Sequence, residues 1–69
     1  MELNYLIMLD YYGARFIKIK LTDEEKQLSK QYDDFEVFMA AELEKKYDFR
    51  TRDVCWMTCE SVEELSYNI

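Results

Sequence analysis

Residues 3–21 read LNYLIMLDYYGARFIKIKL, and the fold turns on how the two halves of this stretch pair. The first half, residues 3–9, is rich in strand formers and almost continuously apolar. Such a strand is covered on both faces or sits centrally in its sheet. Asp10-Tyr11-Tyr12-Gly13 follows, with Asp first and Gly fourth, as a type I turn prefers, and glycine suits the left-handed conformation of an adjoining bulge. Residues 14–21 then alternate apolar and polar, the pattern of a half-buried strand.

Alternation proposes a register. If paired residue numbers sum to about 24, Ile7 faces Ile17, Tyr5 faces Ile19 and Leu3 faces Leu21, and these six side chains share one face. The opposite face then holds Met8 across from Phe16, Leu6 across from Lys18 and Asn4 across from Lys20. That second face is too apolar for solvent alone and too basic for a core.

Beyond the hairpin, Thr22-x-x-Glu25 matches a capping box that opens a helix. Leu28, Tyr32, Phe35, Met39 and Leu43 continue at helical spacing and form one stripe. Asp33-x-x-Glu36 resembles a second capping box, with Tyr32 and Val37 as its hydrophobic staple, so a break is expected near residues 31–34. Lys45 and Lys46 suit the end of the helix dipole. Asp53 to Glu60 read as a third strand. Ser61-x-x-Glu64 would cap a short closing helix carrying Val62, Leu65 and Ile69.

The expected fold is α+β, one small domain over residues 1–69. It comprises a three-stranded, mainly antiparallel sheet built as β-hairpin, one or two helices, strand, and short C-terminal helix or tail, with helices on one face. The apolar first strand belongs in the middle, giving the order 2-1-3. The direction of the third strand depends on the helix break and stays open.

Composition narrows the functions. Fifteen acidic and nine basic residues give a net charge of −6, which works against nucleic acid and anionic membranes. The longest apolar runs, YLIML and VFMAA, fall far short of the roughly twenty residues of a membrane span. Met1-Glu2 offers neither a basic flank nor a cleavage-like site, so no signal peptide is read and the cytoplasm is the expected location. A domain this small gains little core and benefits from an assembly partner.

Chemistry finds little footing. The chain has no histidine and one glycine, so the usual acid/base group and a phosphate-binding loop are both missing. Cys55 and Cys59 lie in VCWMTCE, residues 54–60. On a strand they sit roughly 13 Å apart, beyond the about 7 Å a disulfide allows. Two cysteines without histidine do not make a structural zinc site, and C-x-x-x-C is not the usual redox spacing. They read as buried, inert thiols. The carboxylate clusters Asp33-Asp34 and Asp23-Glu24-Glu25 read as capping chemistry and solvated surface. No catalysis, cofactor or metal is expected.

What remains is the second sheet face. Leu6, Met8, Phe16, Lys18, Lys20 and Trp56 form the candidate interaction face. The third strand contributes to it through Val54, Trp56 and Thr58, or alternatively through Cys55, Met57 and Cys59. Its occupant could be the chain's own tail, a second copy in a homodimer, or another molecule. The leading expectation is a small, acidic, non-catalytic protein-interaction module that docks a protein partner or itself. A single-stranded nucleic acid or small ligand on Phe16, Lys18 and Lys20 is the alternative, disfavoured by the net charge. The acidic helical segment, with Asp23, Glu24, Glu25, Asp33, Asp34, Glu36, Glu42, Glu44 and Asp48, would suit a basic partner.

Overall fold

The structure, a computed structural model, describes residues 3–68; the expectation placed on Ile69 lies outside them. Strands β1 (Tyr5–Asp10) and β2 (Arg15–Lys20) form the hairpin, and α1 spans Asp23–Ser29. A second helical run follows as α2 (Phe35–Phe38), a π-helical turn (Met39–Leu43) and α3 (Glu44–Lys46). A 3₁₀ turn at Thr51–Asp53 leads into β3 (Val54–Cys59). The sheet order is β2-β1-β3 with both pairings antiparallel, so the apolar strand is central as expected.

The hairpin pairs one residue out from the expected register: Leu6 faces Ile19 and Met8 faces Ile17, while Asp10 closes on Arg15. Asp10 sets this end. Its Oδ1 accepts the backbone N–H groups of Tyr12 (3.0 Å) and Gly13 (3.1 Å). Its Oδ2 takes the Arg15 guanidinium through Nη2 at 2.6 Å and Nε at 3.0 Å. The loop is therefore Tyr11 to Ala14, and Ala14, with φ 50°, adopts the left-handed conformation expected of Gly13. Glycine serves another purpose there. A Cβ on Gly13 would stand 3.0 Å from Arg15 Nε and 3.2 Å from its Cγ, so its absence leaves room for the arginine to fold back onto Asp10.

The shift turns β1 over relative to the expectation. Leu6 and Met8 face the helices and are fully buried, alongside Ile19, Leu21, Phe38, Met39, Leu43, Phe49 and Val54. The β2 faces are as read, with Ile17 packed at the margin of this core. Residues 5–9 are all apolar, so alternation inside β1 carries no register information.

The first capping box forms: Thr22 Oγ1 accepts the Glu25 N–H (3.1 Å) and Glu25 Oε1 accepts the Thr22 N–H (2.9 Å). The break falls at residues 30–34, but the second cap is Asp34, whose side chain accepts the Glu36 N–H at 3.0 Å. Asp33 does not cap and the Tyr32–Val37 staple does not form: Val37 is exposed. Tyr32 packs instead on Phe38, ring centroids 5.7 Å apart. Phe38, which the expected stripe omitted, is among the largest fully buried side chains. In the π-helical turn the Glu44 N–H reaches back to the Met39 carbonyl, and Met39 and Leu43 both point into the core. No closing helix forms over residues 61–68, because an isolated helix of that length is marginal without a surface to pack on.

Candidate interaction face

With Leu6 and Met8 turned inward, alternation exposes a different set of side chains on the far side of the sheet. Tyr5, Ile7 and Leu9 of β1 stand between Phe16, Lys18 and Lys20 of β2 and Cys55, Met57 and Cys59 of β3. Leu9 lies opposite both Phe16 and Cys55, and Ile7 opposite both Lys18 and Met57. Leu9 and Phe16 are each 54% exposed and Met57 57%. At the hairpin end Tyr11 and Tyr12 are also exposed. These exposed apolar side chains share one face of the sheet.

Of the six residues expected to form the interaction face, the structure brings together Phe16, Lys18 and Lys20. Leu6, Met8 and Trp56 lie on the opposite, helix-covered side, with Trp56 against Phe35 at a ring-centroid distance of 5.6 Å. The set Cys55, Met57 and Cys59 takes the open face on β3. The cysteines are therefore not buried thiols: Cys55 is exposed and Cys59 half-buried. The Cys55 thiol, together with slight desolvation, holds the neighbouring Tyr11 hydroxyl above its usual range. Residues missed by the sequence reading, Leu9 above all, carried no signal, because residues 5–9 of β1 show no alternation of polar and apolar side chains.

The charges on this face are basic and partly engaged. Lys18 Nζ lies 5.8 Å from the Tyr5 ring centroid and 3.6 Å from Glu64 Oε1. The acidic groups of the helical segment are not all solvated surface. Glu25 is buried; its Oε2 accepts Lys46 Nζ and the Tyr47 hydroxyl, each at 2.8 Å. Burial pushes its carboxyl up, but the bonds from Lys46, Thr22 and Tyr47 together outweigh it and hold the group below the usual carboxylate range. Glu42 accepts from the Tyr32 hydroxyl. Glu44 accepts the Thr51 N–H at 2.9 Å and is held low chiefly by its bonds to Thr51. Asp23, Glu24, Asp33, Asp34, Glu36 and Asp48 stay exposed.

A shallow groove on the helical side is lined by Asp34, Glu36, Val37, Glu44, Arg50 and Arg52, a mixture of both signs that favours no ligand charge. Among the described residues no group of three or more His, Cys, Asp or Glu is placed to hold a metal ion. Among the described residues no helix is long and apolar enough to cross a membrane. Comparison with protein-family models, with curated proteins and with solved structures finds no match.

Proposed function

We propose that this chain is a non-catalytic protein-interaction module whose open sheet face is its docking surface, with a second copy of the chain as the occupant. The observation that carries the reading is the contiguous exposure of Leu9, Phe16 and Met57 across all three strands. A chain of 69 residues leaves a large share of its surface outside any core, and a two-fold contact through one self-complementary patch is the commonest way to add buried area. The deciding measurement is molar mass by light scattering under reducing conditions, on the native chain and on Phe16→Asp. Phe16 is on the surface, so the variant folds; self-association of the native chain that the aspartate abolishes supports the reading. A native chain that is monomeric at every concentration overturns it.

A second reading draws support from the placement of Phe16, Lys18 and Lys20 on one open face, an aromatic flanked by cations as single-stranded nucleic acid requires. Lys18 is partly engaged by Glu64 and the net charge is −6, both of which weaken it. Salt-sensitive oligonucleotide binding lost in Lys18→Glu/Lys20→Glu would favour it; absence of binding at low salt removes it.

A further inference from the structure

The segment following β3 has no regular secondary structure and is sparsely held. It leaves the sheet beside β1, where Asn4 Nδ2 donates to the Glu60 carbonyl oxygen at 3.0 Å. By Glu64 it has reached the β2 edge, pairing with Lys18 at 3.6 Å. Only Val62 is half-buried along the way; past the Lys18 contact, Leu65 is 67% and Tyr67 75% exposed. The molecule is drawn out, with a long axis of 42 Å and a radius of gyration of 12.5 Å, against about 11 Å for a compact chain of this length.

Two unsatisfied apolar sets thus coexist. Leu9, Phe16 and Met57 are bare at the hairpin end of the open face, and Leu65 and Tyr67 are bare on a segment that passes that face without covering them. Their charges are complementary. The segment carries Glu60, Glu63 and Glu64 and no cation, whereas the charged side chains of the open face are Lys18 and Lys20.

We propose that residues 60–68 form an exchange arm that closes on the open face of a second copy, Leu65 and Tyr67 packing against Leu9, Phe16 and Met57 while the arm's glutamates approach Lys18 and Lys20. The contact is reciprocal, each copy giving an arm and receiving one, as a closed two-fold pair requires. The inference rests on the self-docking reading above and adds the element that fills the face.

The test compares the native chain, F16D, L65D/Y67D and an equimolar mixture of the two variants, by light scattering and native mass spectrometry. All the altered side chains are exposed, and far-UV circular dichroism checks that the variants stay folded. The arm predicts a native dimer, two monomeric variants, and a heterodimer in the mixture, where the intact arm of F16D meets the intact face of L65D/Y67D. If L65D/Y67D remains dimeric while F16D does not, the arm is overturned and the docking face stands. A mixture that stays monomeric also overturns the pairing of arm with face. A monomeric native chain, or an F16D that keeps the native mass, overturns both.

Discussion

Glu25 shows how one residue can serve two levels of structure. Its first oxygen completes the capping box of α1 and its second ties that helix to Lys46 and Tyr47 at the far end of the helical layer. A buried carboxylate is costly unless every lone pair finds a donor, and here the donors prevail, leaving the folded-state pKa below the ordinary value. A group depressed in this way contributes stability that is fully present above its unfolded pKa and is lost as pH falls through the folded one. Urea midpoints measured from pH 7 to pH 3 should therefore fall on acidification, with Asp10 and Glu44, also depressed, contributing in the same direction. Glu25→Gln should cost about 1–3 kcal/mol at neutral pH and show a shallower acid loss than the native chain. An unchanged slope would mean that Glu25 is not the group titrating.

At the scale of elements, the hairpin is governed by its closing pair. Asp10 and Arg15 hold a loop that places Ala14 at φ 50°, a conformation an L-residue adopts at a cost of roughly 1–2 kcal/mol. Ala14→Gly removes that strain but loosens the unfolded chain, so the net gain should be about 0.5–1 kcal/mol by denaturant melting. A loss of stability would place the strain elsewhere in the loop. The β2 strand tests the register from its other side. Ile17 lies opposite Met8 on the helix-covered face, and Ile17→Asp would carry a carboxylate without a partner into that layer. Loss of the cooperative transition is the expected result; a native-like melt would mean that β2 presents its other face to the helices.

At the scale of the whole molecule, the described residues form one buried apolar cluster, drawn from all three strands and the helical run and centred on Leu6, Met8, Phe38, Met39 and Leu43. Its size makes it fragile. Natural chains retain roughly 0.05–0.15 kcal/mol per residue, so a chain of this length has only about 3–10 kcal/mol in hand. Phe38→Ala should cost about 3–5 kcal/mol through lost burial and the cavity left behind. Its chevron or urea midpoint should show a protein at the edge of unfolding at 25 °C. A drop of less than about 1 kcal/mol would mean that Phe38 is not held at the centre. The same shortage of core makes the open face consequential, since covering Leu9, Phe16 and Met57 would stabilise each copy as well as join two.

What the sequence determined by itself is what local chemistry decides. Thr22 and Glu25 open α1 through their reciprocal capping bonds, the break expected near residues 31–34 is present although Asp34 and not Asp33 caps the next helix, and alternation in ARFIKIKL assigns Ile17, Ile19 and Leu21 to one side. The order with β1 in the middle followed from its uninterrupted apolar character, which suits a strand flanked on both edges. That same character concealed the site. A strand with no polar residue between Tyr5 and Leu9 has no periodicity to say which side faces the helices, and VCWMTC is equally undecided. The tertiary structure settled both, through the Asp10–Arg15 closure of the loop and the fit of Leu6, Met8 and Trp56 beneath the helical run. It also left residues 61–68 without a helix, because a short helix needs a packing surface to sustain it.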